Sequence, residues 1–132
     1  LGSDGARADD IRIPAGGSRL PASLDTIGQD LHTIRMNGQD VFRFSTRVAP
    51  ASALRLLDRC GLSIDDVDLY APHQSNRRII DHTARSLGIP ADRVLVDIDR
   101  YGNTSSASIP LVLDDDRAEP RGPVHETSPR AG

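Results

Sequence analysis

Two successive stretches of the chain share one plan, and that plan constrains the fold more than any other feature. Residues 67–76 form a short apolar run that stops at a proline, followed by polar residues and a helical pattern. Residues 94–105 repeat this order with a β-branched run, a polar turn and a second helical pattern. Two strand–turn–helix units in succession predict two parallel strands side by side in an α/β sheet. His73 and Asn103 should then meet at the carboxyl edge of that sheet, where open α/β folds build their sites.

The size and charge of the chain exclude several classes of protein. At 132 residues it holds one domain at most. A net charge of −3 and 3% aromatic residues give little reason to expect nucleic acid or an anionic membrane as partner. No apolar run approaches the length needed to span a membrane, and a single cysteine excludes an internal disulfide framework and suits the cytoplasm. Because the first residue is Leu rather than Met, we expect a piece of a longer protein.

The N-terminal third is predicted to be mostly loop. Its Gly, Asp and Ser content indicates a turn at residues 3–5, a short strand at 11–13 and otherwise a flexible connector. Residues 23–36 alternate weakly and are predicted to be extended.

Residues 41–60 are predicted to form a helix, because one apolar face recurs at helical spacing. The residues of that face are Ala53, Leu56, Leu57 and Cys60. Pro50 predicts a kink or a division into two helices, and Gly61 is a good stop signal.

The second half of the chain alternates strands and helices. Strands are predicted at 67–71 and 94–98, and helices at 77–87, capped by Ser75 or Asn76, and at 104–113, with Pro110 inside. The stripe expected to be buried on the first of these helices consists of Ile79, Ile80, Thr83, Ala84 and Leu87. From Asp114 onward the periodicity disappears, which predicts a disordered tail. The expected organisation is a loop-rich lead-in over 1–36, a main domain over 37–116 and a tail over 117–132.

Four segments resemble a known family when they are taken in order. They read LGSDG, MNGQDVFRF, PHQSNRRII and DRYGNTSSASIPLVLDDD. They resemble the C-terminal half of β-ketoacyl-acyl-carrier-protein synthase III, a condensing enzyme, over residues 1–116. The resemblance implies an α/β fold, the C-terminal half of a thiolase-like fold, with helices packed on a mixed sheet that is incomplete at both ends. The family carries its nucleophilic Cys in an N-terminal half that this sequence does not contain. It also continues into a strand pair where this chain has a Pro-rich tail, as after a truncation or frameshift.

The resemblance implies roles for particular residues of this chain. The His of the PHQ motif falls on His73 and the Asn of YGN on Asn103, and these two are the expected catalytic residues. Phe42 and Asn76 fall on positions that lie near coenzyme A and its pantetheine arm. The expected reaction is the decarboxylative condensation of malonyl-acyl carrier protein with an acyl thioester, in fatty-acid or polyketide biosynthesis.

The resemblance also implies partners. Arg43, Arg78 and Arg85 match basic positions that the family uses against acyl carrier protein, although ordinary solvated helix charge is the alternative for all three. Acyl-CoA is the second expected partner, and a homodimer is expected for the full-length family. No cofactor is expected beyond the thioester substrates. The spacing of the remaining histidines predicts no metal site.

The proposed chemistry explains why a His and an Asn are needed together. Decarboxylation of a malonyl thioester places negative charge on the thioester oxygen, and a site must direct hydrogen-bond donors there beforehand. A neutral imidazole N–H and an amide N–H do so without a formal cation. On position alone, His73 would be a strand-end histidine bonded to backbone, and Asn103 would be a turn residue.

Cys60 is not predicted to be the nucleophile. It lies on an apolar helix face, one residue before Gly61. The partial negative charge of a helix C-terminus disfavours a thiolate, so Cys60 is predicted to fill the core.

Three functional interpretations follow. The first is an acyltransferase domain that supplies the His/Asn pair. The alternative is a non-catalytic remnant or dimerisation module that lacks the Cys-bearing half. A small hydrolase using the pair alone is disfavoured, because no Ser or Cys nucleophile stands beside it in the sequence.

Overall fold

The computed structural model describes residues 4–118 and divides the chain into two compact units, with the boundary between Val48 and Ala49. The β-strands are β1 Ile11–Arg12 and β2 Arg35–Met36. The α-helices are α1 Leu24–Gly28, α2 Gly38–Cys60, α3 Arg77–Leu87, α4 Ile98–Tyr101 and α5 Ser108–Ala118. The 3₁₀-helices are Gly5–Asp10, Ile64–Asp66, Ala91–Arg93 and Ser105–Ala107.

The N-terminal unit contains a two-stranded antiparallel sheet. Ile11 pairs with Met36 and Arg12 with Arg35, which confirms the short strand predicted near residue 11. The preceding segment forms a 3₁₀-helix instead of a loop. The turn predicted at 3–5 begins outside the described residues.

The prediction of an extended segment over 23–36 is wrong for its first part, because α1 begins there. Ser23 and Thr26 form a reciprocal capping box, in which the Thr26 amide donates to Ser23 Oγ (3.2 Å) and the Ser23 amide donates to Thr26 Oγ1 (2.8 Å). These two bonds satisfy amides that an emerging helix leaves without partners. The capping residues Ser23 and Thr26 therefore predict the structure of this segment better than its weak alternation of apolar residues does.

Helix α2 is longer and more exposed than predicted. It begins at Gly38 and runs without interruption through Pro50. None of its residues is fully buried, Leu56 is 63% exposed and Cys60 is exposed. The helix prediction is confirmed, but the prediction that Cys60 fills a core is wrong. Periodicity identifies the apolar face of a helix, not the element that covers it.

The core of the C-terminal unit is built around α3. Its buried residues are Ile80, Ala84, Leu87, Ile89 and Val94. Helix α3 has the bounds predicted from the sequence, and its expected stripe is buried except for Ile79, which is half-buried. Asn76 caps its start, and Gly88 ends it in the left-handed conformation with φ 73°.

The two repeated stretches do run parallel, but as a single bridge and not as regular strands. The Tyr70 amide donates to the Arg93 carbonyl (2.8 Å), and the Leu95 amide donates to the Tyr70 carbonyl (2.9 Å). Leu95 is fully buried beside this bridge. The predicted strand over 94–98 is cut short because Ile98 already begins α4.

Helix α5 extends beyond the predicted end of the last helix. Pro110 is its third residue, where the missing N–H costs no bond within α5 itself. Asp114 to Ala118 are helical, so the tail predicted to start at Asp114 starts no earlier than residue 119. The remainder of that predicted tail, 119–132, lies outside the described residues.

Ile80→Ala should destabilise the chain by about 2–5 kcal/mol, because the removed atoms leave a cavity in a core position that is 1% exposed. Leu56→Ala, at a position that is 63% exposed on α2, is the control and should change the free energy of unfolding by about 0.5 kcal/mol or less. Urea unfolding followed by circular dichroism measures both. Equal losses would mean that the core lies elsewhere.

Candidate active site

His73 is tied to the beginning of helix α5. Its Nδ1 lies 2.6 Å from Oγ of Ser108, a residue 35 positions further along the chain. The amide of the next residue, Gln74, donates to the same Ser108 oxygen at 3.3 Å. Ser108 is 1% exposed, whereas His73 is exposed. One edge of the imidazole is therefore anchored to buried structure while the side chain as a whole remains accessible.

Gln74 joins the two parallel stretches through its side chain. It is fully buried, and its Nε2 donates to the carbonyls of Pro72 (2.9 Å) and Leu95 (3.2 Å). Its Oε1 accepts from the amide of Asp97 at 3.1 Å. The side-chain amide thus continues the hydrogen bonding where backbone pairing stops. Sequence reasoning missed this role, although a Gln between a strand end and a helix cap has the right donors and acceptor for it.

Asn103 lies in a turn that orients its side-chain amide. Its Oδ1 accepts from the backbone N–H of Ser105 at 3.0 Å, and Ser105 has a positive φ of 55°. Since a backbone N–H must bond to the oxygen and not to the nitrogen, the NH₂ group of Asn103 points away from this bond. Gly102, with φ 68° and ψ −157°, precedes it. Positive φ at a non-glycine residue is uncommon and gathers at functional turns.

The other predicted substrate residues fall into both units. Asn76 caps α3 by accepting from the Arg78 amide at 2.9 Å. Arg78 and Arg85 are exposed residues of the same helix. Phe42 and Arg43 lie in the first turns of α2, in the N-terminal unit. The described contacts bring His73 together with the start of α5.

Asp97 is a buried carboxylate that sequence reasoning did not single out. It is 3% exposed, and its Oδ2 has no hydrogen-bond partner among the described residues. Burial, and secondarily the nearby charge of Asp115, raises the pKa of Asp97 above its ordinary value. Nothing in the local pattern of a β-branched run followed by Asp signals this, because the groups shown to act on Asp97, Gln74 and Asp115, come from other parts of the chain.

Other features of the described residues bear on ligands and location. Within residues 4–118 no three His, Cys, Asp or Glu side chains are grouped as a metal site requires. In the same range, no helix combines the length and apolar character of a membrane span. An open cavity of about 410 Å³ lies beside α3, and neither His73 nor Asn103 lines it. Its lining residues are Arg77, Asp81, Ala84, Arg85, Ile89, Ala91, Val94 and Val96.

Known proteins resemble this chain in both sequence and fold. Residues 57–124 match the family described as 3-oxoacyl-[acyl-carrier-protein (ACP)] synthase III C terminal. A beta-ketoacyl-[acyl-carrier-protein] synthase III of Symbiobacterium thermophilum is 48% identical over 92% of this chain and 37% of its own length. One of Desulfitobacterium hafniense is 50% identical over 87% of this chain and 35% of its own length.

Solved structures agree with these relatives. A crystal structure of a 3-oxoacyl-(acyl-carrier-protein) synthase III has a TM-score of 0.83 at 31% identity, covering 89% of this chain and 38% of that one. The corresponding synthase of Thermus thermophilus has a TM-score of 0.74 at 38% identity, covering 89% and 36%.

These matches place the chain in a class, the ketoacyl synthase-type acyltransferases of the thiolase fold. Within that class, it belongs to the 3-oxoacyl-[acyl-carrier-protein] synthase III family and corresponds to the C-terminal part of its members. The family and fold class predicted from the four segments are confirmed. The chain spans about 35–37% of the length of the two relatives described above.

Asp97→Asn should stabilise the chain at pH 7 and have little effect in acid. A raised pKa means that the folded state binds this proton more tightly than the unfolded state, so stability falls as pH rises from the ordinary pKa of 3.8 through the raised value. Removing the charge should therefore raise the thermal midpoint at neutral pH, with the gain disappearing below about pH 3.8. Thermal melts across this pH range measure it, and the exposed neighbour Asp99→Asn is the control. A loss of stability at pH 7 would contradict the assigned burial.

Proposed function

We propose that this chain supplies the decarboxylation half of a 3-oxoacyl synthase active site, with His73 and Asn103 as its catalytic residues. Family membership supports the reaction class. The observation that carries the assignment is the orientation of the two side chains. Each uses one hydrogen-bonding atom on the protein, Nδ1 of His73 and Oδ1 of Asn103. This leaves Nε2 of His73 and Nδ2 of Asn103 for a ligand.

The chemistry follows from these two donors. When the malonyl carboxylate leaves as carbon dioxide, the electrons of the broken C–C bond pass to the α-carbon and onto the thioester oxygen as an enolate. An imidazole N–H and an amide N–H directed at that oxygen stabilise the charge as it develops. The carbanion then attacks the carbonyl carbon of an acyl thioester and expels the thiolate that carried it, which forms the 3-oxoacyl product.

The substrates of the proposed reaction are thioesters, and no resident cofactor or metal is required. Malonyl-acyl carrier protein supplies the extender unit, and acyl-CoA or an acyl carrier protein supplies the starter. Asn76, at the start of α3, is assigned to the pantetheine arm, and Phe42 to coenzyme A. The cytoplasm is the proposed location.

The acyl-accepting thiolate does not come from this chain. Cys60 is the chain's single cysteine and the last residue of α2, where the partial negative charge of the helix end disfavours a thiolate. We therefore expect the chain alone to form no 3-oxoacyl product, and activity to require a Cys-bearing N-terminal half.

A role as an association module is the second candidate, and the exposed apolar surface favours it. In the C-terminal unit the exposed large apolar side chains are Leu54, Leu56, Leu62, Leu69, Tyr101, Ile109 and Leu113. Where such side chains form one contiguous patch, the patch is typical of a surface that another protein covers. Catalysis on addition of a Cys-bearing half distinguishes the two functions, because a module without catalytic groups restores none.

His73→Ala should separate the two chemical steps of the reconstituted enzyme, made by adding a Cys-bearing half from a relative. Transfer of the starter acyl group to that Cys should persist, since it needs no donor directed at malonate. Decarboxylation should fall by about 10²–10³-fold, the usual loss for one oxyanion donor. Labelled acyl-enzyme on a gel and carbon dioxide release give the two readouts.

Asn103→Ala is the matched variant. It should resemble His73→Ala, and the double variant should be much less than multiplicatively worse if both donors serve one oxygen. Loss of acylation with decarboxylation intact would instead make His73 the base for the nucleophile and overturn the proposed division of roles.

Arg78→Glu should weaken the use of an acyl carrier protein more than the use of a carrier-free thioester. Arg78 follows His73 and the cap residue Asn76 closely, and Arg43 and Arg85 are assigned the same carrier contact. Reversing a rim charge slows association with an acidic partner, and the effect should shrink as salt rises. A Glu in the first turn of a helix is electrostatically favourable, so helix α3 should still form.

The control for Arg78→Glu is Arg59→Glu, an equal charge change on the exposed end of α2. Steady-state kinetics at low and high salt with both substrates measures the difference. Equal losses for both substrates at all salt concentrations would assign Arg78 a structural role.

A further inference from the structure

The Ser108 hydroxyl is the one described group that contacts the ring of His73 through a hydrogen bond. We infer that Ser108 is a positioning residue that holds His73 in the tautomer with its proton on Nε2. The inference deepens the proposed function and, for its catalytic consequence, rests on it.

The count of protons around Ser108 Oγ determines the tautomer. The Gln74 amide is a donor, so Oγ accepts its hydrogen at 3.3 Å. The hydroxyl then has one proton of its own to donate, and Nδ1 of His73, 2.6 Å away, is the acceptor that its described contacts offer. If Nδ1 carried a proton, Oγ would face two donors, and its own proton would have no described partner.

Burial makes that alternative unfavourable. Ser108 is 1% exposed and Gln74 fully buried, so bulk water cannot take the place of a missing acceptor. The side-chain Nε2 and Oε1 of Gln74 are both hydrogen-bonded as well. These bonds hold the residue in place, and with it the backbone N–H that points at Ser108. The three groups therefore form a chain of donors running from the Gln74 amide through the hydroxyl to the imidazole.

The tautomer matters because of where each ring nitrogen lies. Nδ1 faces the buried start of α5, while His73 as a residue is exposed. Only a proton on Nε2 is presented away from α5, where a thioester oxygen would lie in the proposed reaction. Which nitrogen of a histidine carries the proton is set by the bond that the other makes.

Nitrogen NMR of the imidazoles tests the tautomer directly. The full 132-residue chain, labelled with ¹⁵N at its four histidines, is compared with His73→Ala to assign the His73 signals. We expect an unprotonated Nδ1 and a protonated Nε2 in the neutral ring. A protonated Nδ1, or the tautomer mixture of a free imidazole, in the unsubstituted chain overturns the inference without any Ser108 variant.

Variants show whether Ser108 is the cause. Ser108→Ala should shift His73 toward the mixture of a free imidazole, and Ser108→Thr, which keeps the hydroxyl, should restore the Nε2–H form. Val112→Ala is the matched control, because Val112 is also buried on α5 at 3% exposure but is apolar. It should lower stability and leave the tautomer unchanged. An unchanged tautomer in folded Ser108→Ala also overturns the inference.

Kinetics of the reconstituted enzyme connect the tautomer to catalysis. Ser108→Ala should lower kcat for malonyl decarboxylation by about 10–100-fold, the loss that removal of a partner causes where the oriented histidine binds a metal. The KM and the starter acyl transfer should change little. In the His73→Ala background the same substitution should have almost no further effect, whereas a purely structural role would cost the same in both backgrounds.

The two failures are distinguishable. If Ser108→Ala changes the tautomer but His73→Ala leaves decarboxylation intact, the proposed function fails and the positioning contact stands. If His73→Ala abolishes decarboxylation while Ser108→Ala alters neither tautomer nor kcat, the proposed function stands and the role assigned to Ser108 is wrong.

Discussion

The buried amide of Gln74 is the contact on which the C-terminal unit depends. Backbone pairing between the two parallel stretches amounts to one bridge, at Tyr70 and Val94. Beyond it, the side chain of Gln74 bonds to the backbone of both stretches, and its amide N–H bonds to α5. A fully buried primary amide is costly unless its donors and acceptor are used, and here they are used. One residue thus sets the spacing of three segments around His73.

This arrangement explains how exposed side chains at the candidate site can still be well ordered. His73 and Asn103 are both exposed. Each is oriented by one hydrogen bond to a group that the fold itself positions: Ser108 at the start of α5, and the Ser105 amide in a left-handed turn. Hydrogen bonds to fixed partners limit the freedom of these two side chains without covering them, which is what preorganised donors require.

Much of the C-terminal unit could be predicted from its sequence, because its signals are local. Helix α3 has both of its predicted bounds, since Asn76 and Gly88 mark its ends by cap chemistry and the apolar stripe has the right period. The parallel neighbours were also predictable from the repeated plan. The roles of Gln74, Asp97 and Ser108 were not, since they arise from contacts more than 20 residues apart in the chain. The prediction that Cys60 is buried was wrong for a related reason. The sequence shows that a helix has an apolar face, but not which element packs against that face, and Cys60 is exposed.

Gly102 shows how a motif can depend on torsion alone. With φ 68° and ψ −157°, it occupies a backbone region that is essentially restricted to glycine. A Cβ built at this position would meet nothing within 4 Å, so no neighbour excludes a larger side chain. The glycine in YGN is therefore a geometric requirement of the backbone, whereas the role proposed for the asparagine after it is chemical. A search for distant members of this family could accept varied side chains around the turn, provided that this backbone angle remains accessible to the residue before Asn103.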